Sequence, residues 1–111
     1  MGVELHITRA ESWTASEDSP ITESEWMAYV ATDPELRVKT EFGKPMIIWL
    51  GESKYAEPWL QWKRGNVSTK WPDTALYRKM LKIATALHAR VVDDDDTTYT
   101  KETDWDFDPD A

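Results

Sequence analysis

This sequence predicts a two-layer α+β fold: a mostly antiparallel sheet of four to six strands with two helices packed on it. Three observations carry that expectation. Two segments have helix caps followed by apolar residues at helical spacing. The segments around them are short and either alternate apolar with polar residues or run apolar over five positions, as strands do. The resulting order is β-α-β-β-β-α-β, for which helices laid on one antiparallel sheet are the natural solution. The length, 111 residues, suits one domain that folds alone. We assign residues 1–100 to that domain and 101–111 to an acidic-aromatic C-terminal tail.

The first strand is "VELHITR", where Val3, Leu5 and Ile7 alternate with Glu4, His6 and Thr8. "ESWTASEDSP" reads as a polar loop. In "ITESEWMAYVATDP", Thr22 and Glu25 have the spacing of a capping box, and Ile21 and Trp26 that of a hydrophobic staple. Glu23 and Glu25 suit the positive end of the helix dipole. Trp26, Met27 and Val30 form its apolar stripe, and Pro34 limits its far end.

"LRVKTEFGKP" is a connector or short edge strand, and "MIIWL" a buried strand. "WLQWKRGNVSTKW" reads as a hairpin turning near Gly65-Asn66. Its tryptophans fall on both faces, so one of them should face solvent. The second helix follows Pro72, with Asp73 as N-cap. Leu76, Met80, Ile83, Ala84 and Leu87 make one apolar face, and Arg78, Lys79 and Lys82 a basic outer face. "RVV" resumes a strand, "DDDD" is its turn, and "TTYT" is a possible return strand.

Charge is placed unevenly. Residues 93–111 hold nine acids and one base, a net of −8, which equals the net charge of the whole chain. Residues 1–92 hold twelve acids and twelve bases. A field so concentrated selects partners of opposite sign. The chain has no cysteine, hence no disulfide framework and no zinc–thiolate site. That composition suits a reducing cytoplasm. The opening residues lack the apolar core of a secretion signal, and His6 stands where myristoylation needs Ser or Thr. No apolar run approaches membrane-spanning length, so no membrane partner is expected.

Catalytic and metal chemistry find little support. Asp104, Asp106 and Asp108 match the first three ligand positions of an EF-hand loop, but Pro109 stands where that loop needs glycine. His6 and His88 come with no recognisable nucleophile motif. The four glycines are scattered, so no phosphate loop is present. With a net charge of −8, direct nucleic-acid binding is not expected. We therefore expect no enzyme activity and no cofactor.

What remains is binding. Seven tryptophans exceed what so small a domain is expected to bury completely, and tryptophan is enriched among interface hot spots. Alternatively the rings cover the open sheet face. The acidic segment is open to three readings: a solvating tail, an aromatic docking edge flanked by carboxylates, or a strand on the protein's own sheet. The candidate partner-binding residues are Asp93, Asp94, Asp95, Asp96, Asp104, Trp105, Asp106, Phe107 and Asp108, with Trp62 and Trp71.

Three stretches together resemble small bacterial immunity proteins of the kind encoded beside polymorphic toxins. They are "ELHITRAESW" with "ITESEWMAYVATDPEL", then "STKWPDTALYRKMLKIATALHARVV", then "DDDDTTY". The likeness is one of style and element order over residues 3–100. It implies a cytoplasmic, non-catalytic protein that neutralises a cognate toxin by forming a heterodimer with it. The toxin's basic surface would meet the acidic segment, whose field would speed association. A DNA-mimicking inhibitor is the alternative, though the neutral residues 1–92 count against it.

Overall fold

A computed structural model describes residues 3–41 and 44–109 of the chain. The readings that touch Met1, Gly2, Phe42, Gly43 and Asp110 lie outside the described residues. The elements, in order, are β1 (Glu4–Thr8), a short 3-10 segment (Trp13–Asp18), α1 (Glu23–Thr32), β2 (Leu36–Glu41) and β3 (Lys44–Trp49). Then come β4 (Trp59–Lys63), β5 (Asn66–Lys70), α2 (Thr74–Ala86), β6 (Arg90–Val92) and β7 (Thr98–Tyr99).

The fold is α+β, as expected, with one antiparallel sheet of seven strands in the order β2-β3-β4-β5-β1-β6-β7. The sequence suggested four to six. The excess comes from the two edges: β2, left open between connector and strand, and β7, only two residues long. β2 alternates Leu36 and Val38 with Arg37 and Lys39, but only over these four residues, and β7 is too short to show any alternation.

Both helices pack on one face. Leu5 and Ile7 of β1, Ile47, Leu60, Val67 and Val91 join residues of α1 and α2 in a single core. Helix α1 forms because its first turn is satisfied twice. Thr22 Oγ1 accepts the Glu25 N–H at 3.1 Å, and Glu25 Oε1 accepts the Thr22 N–H at 3.3 Å. Ile21, Trp26 and Val30 are then buried. In α2, Asp73 Oδ1 accepts the Leu76 N–H at 3.1 Å, and all five residues of the expected apolar face are buried.

Arg78 and Lys82 are exposed on α2 as expected, but Lys79 does not share that basic outer face. Its side chain is only 9% exposed, and its Nζ donates to Asp33 at 2.8 Å and Glu35 at 2.7 Å beyond the end of α1. Burial pushes the Asp33 carboxyl up, but hydrogen bonds from Lys79, the Glu35 N–H and Tyr29 outweigh it and hold it below its ordinary value. This buried ion pair ties the two helices together, and neither segment alone announces it.

The hairpin turns on Arg64-Gly65, one residue earlier than expected, with both at positive φ (51° and 91°). Gly65 is required there: a Cβ would lie 2.7 Å from the Ser16 carbonyl oxygen. The Gly65 carbonyl in turn accepts the Ile21 N–H at 2.9 Å, which fixes the entry to α1.

The opposite face of β1 is also covered. His6 is 2% exposed and Thr8 is fully buried, although alternation predicted a polar face there. The 3-10 segment lies over them. Thr8 Oγ1 meets Ser16 Oγ at 2.8 Å, and the Trp13 indole stacks on the His6 ring at 4.1 Å between centroids. The polar loop of the sequence is thus a partial second lid on the sheet.

Candidate partner-binding surface

The acidic residues begin at the β6–β7 connection. "DDDD" is a tight turn, closed by the Asp96 N–H on the Asp93 carbonyl at 3.0 Å. Asp96 sits at φ +63°, a conformation that aspartate tolerates better than most residues. Asp93 Oδ1 accepts the N–H groups of Asp95 and Thr97, and its Oδ2 accepts the Tyr99 hydroxyl. Aspartate is here because its short carboxylate can close such a turn.

Two of these aspartates clasp the turn to β1 and the 3-10 segment. Asp94 Oδ1 meets His6 Nε2 at 3.0 Å, and its Oδ2 accepts the Glu4 N–H at 3.2 Å. Its backbone oxygen accepts the Trp13 indole N–H at 3.0 Å. Asp96 accepts the Ser12 hydroxyl at 2.7 Å and the Trp13 N–H at 3.0 Å, and these bonds hold its carboxyl below the ordinary value. Asp95 is exposed and makes only the turn contact.

His6 lines an open cleft of about 410 Å³ together with Trp13, Glu17, Asn66 and Ser68, and Asp94 pairs with His6 from beside the cleft. An Asp–His pair beside a serine invites a catalytic reading, and the geometry argues against it. His6 Nδ1 faces Asn66 Oδ1 at 3.3 Å, while Asn66 Nδ2 donates to the Lys63 carbonyl. Both ring nitrogens are therefore engaged with groups of the fold, and the ring is sandwiched under Trp13. The imidazole has no nitrogen left to take a proton from Ser68.

Residues 101–109 turn back onto α2. The N–H groups of Thr100 and Lys101 donate to Asp104 Oδ2 at 3.0 and 2.9 Å, holding that carboxyl low as well. The Thr74 N–H, which the first helical turn leaves without a partner, donates to the Phe107 carbonyl at 2.8 Å. The Phe107 N–H returns to Thr74 Oγ1 at 3.0 Å, and the same hydroxyl donates to Asp106 at 3.0 Å. The Trp105 indole donates to the Pro72 carbonyl at 2.8 Å, and its ring packs against Tyr77 and Tyr99.

The eleven candidate residues thus separate into three groups. Asp93 to Asp96 form the turn clasped to β1. Trp71, Trp105 and Phe107 come together: the Trp71 ring lies 6.0 Å from Trp105 and 5.4 Å from Phe107, between centroids, with Asp104, Asp106 and Asp108 on the same segment. Trp62 stands apart on β4, half-buried, its indole donating to the Ile21 carbonyl at 2.7 Å. The His6–Trp13–Asn66 support of the acidic turn was missed from sequence, because its partners are 60 to 88 residues apart. Among the described residues, no group of three or more acidic or histidine side chains is placed to hold a metal ion, and no helix is long and apolar enough to cross a membrane.

Comparisons with protein-family models, with curated proteins and with solved structures find no match.

Proposed function

We propose that this chain is an immunity-type inhibitor, acting in the cytoplasm, that binds a cognate bacterial toxin and covers its basic active-site cleft. One observation carries the reading. The acidic segment is fastened, over its described residues 93–109, by its own carboxylates and rings. Such a surface is preorganised, so docking it costs little further ordering. Its field would steer a basic partner toward it. Among the described residues, the His6–Asp94 pair that resembles part of a catalytic site has its base engaged by the fold, which favours binding over catalysis.

The experiment is capture followed by function. The chain is used as bait in lysate of its source cell, and partners are eluted with a salt gradient. A captured basic protein is then expressed in a tester strain with and without this chain. The reading expects one partner that is toxic alone and harmless when co-expressed. Simultaneous release of several DNA-binding proteins, none of them toxic, would replace it with the DNA-mimic reading. Truncation after Val92 is unsuitable, because Tyr99 and Trp105 pack against the core. Neutralising Asp95, Asp106 and Asp108 leaves that packing in place.

A further inference from the structure

Trp71 is the most exposed aromatic side chain among the described residues whose exposure is prominent, at 40%. Its position is imposed rather than incidental. The backbone takes φ +43°, its N–H donates to the Val3 carbonyl at 2.9 Å, and its carbonyl accepts the Tyr55 hydroxyl at 2.7 Å. Its ring rests against Trp105 and Phe107 at tilts of 49° and 46°. An indole fixed from behind and partly open to solvent is a stacking platform.

The charges around it select what stacks. Phe107, in ring contact with Trp71, is flanked in sequence by Asp106 and Asp108. Asp106 spends one oxygen on the Thr74 hydroxyl, leaving its other oxygen and the Asp108 carboxylate to meet a cation. Lys70, the cation next to Trp71 in sequence, stands opposite an acid, Glu4, in the strand register. A flat cation that stacks on indole while its edge meets carboxylates is a guanidinium. An ammonium can do the first less well and the second only as a point charge.

We infer that Trp71, with Asp106 and Asp108, forms a seat for an arginine side chain of a partner protein. This rests on the reading of the chain as a binder of a basic partner, and names the group that it would grip.

The test uses the full chain and two probes of equal charge, a hexa-arginine and a hexa-lysine peptide, at physiological salt. Binding is followed through the indole N–H signals of the tryptophans in a two-dimensional nitrogen–proton spectrum. The Trp71 signal is assigned by its loss in Trp71→Phe. The expected result is a saturable shift centred on Trp71, with hexa-arginine binding about tenfold tighter than hexa-lysine. Trp71→Leu should remove that preference, Trp71→Phe should keep most of it, and Asp108→Asn should weaken it severalfold. Equal affinity for both peptides, indifference to Trp71→Leu, or shifts centred on another tryptophan would each overturn the seat. The peptides judge the seat, and toxin neutralisation judges the inhibitor reading. A chain that distinguishes the peptides but neutralises no toxin keeps the first and loses the second.

Discussion

His6 shows how much a single residue can hold. Its two nitrogens meet Asp94 and Asn66, and its ring carries Trp13, so it joins β1, β5, the acidic turn and the 3-10 segment. His6→Ala would remove one buried and one part-buried hydrogen bond and leave Asn66 Oδ1 without a partner. We expect a loss of about 2 kcal/mol in urea unfolding. A loss under half that would mean that water replaces the ring and that the clasp is not a structural support. Lys79 gives a second test at this scale. Lys79→Ala leaves Asp33 buried without its counter-charge, for an expected cost of about 3 kcal/mol. Adding Asp33→Asn to Lys79→Met removes both charges and should recover part of that cost. If the double variant is no better than Lys79→Ala, the pair contributes through packing of the lysine stem instead.

Among the elements, legibility follows distance along the chain. The capping box at Thr22 and Glu25, the Asp73 cap and the five-residue stripe of α2 were all readable, because each depends on residues within a few positions. The β4–β5 hairpin was readable to within one residue. Lys79 was not, because the acids that draw it inward belong to α1's far end and the loop beyond it. The buried polar face of β1 was not, because the 3-10 segment that covers it carries no periodic signal. The candidate site divided the same way. The run of aspartates and its net charge were plain in the sequence, whereas the use of Asp94 and Asp96 as clasps depends on β1 and the 3-10 segment. The C-terminal segment also completes α2: Phe107 takes up the Thr74 N–H. Substituting Asp73, the buried cap that also accepts the Lys54 N–H at 2.6 Å, with alanine should cost about 2 kcal/mol in the same unfolding assay. A cost near zero would show that the C-terminal segment caps this helix without it.

At the scale of the whole molecule, the titrating groups define a window of stability. Arg9 holds Glu25 down to about 2 from its ordinary 4.5, helped by the Thr22 N–H. Asp33, Glu35, Asp96 and Asp104 are also held below their ordinary values. A carboxyl depressed by folding stabilises the folded state above its unfolded value and loses that contribution as pH falls through its folded value. The acid limb should therefore begin below pH 4.5 and continue toward pH 2. On the other side, burial raises Tyr29, Tyr77 and Tyr99 from 10.0 to about 12, reinforced by Asp33, Asp104 and Asp93 respectively. Lys79 is raised as well, because Asp33 and Glu35 more than offset its burial. Groups raised by folding stabilise below their unfolded values, and that stability is lost as pH rises through the folded ones. The alkaline limb should thus run from pH 10 to about pH 12. Thermal melts across the range should show a plateau from roughly pH 5 to pH 9. Tyr99→Phe should flatten the alkaline limb without moving the acid one, since it removes a hydroxyl that ionises only at high pH. If Tyr99→Phe instead lowers stability equally at every pH, the Tyr99–Asp93 hydrogen bond matters more than the ionisation, and the acidic turn is held from the β7 side as firmly as from β1.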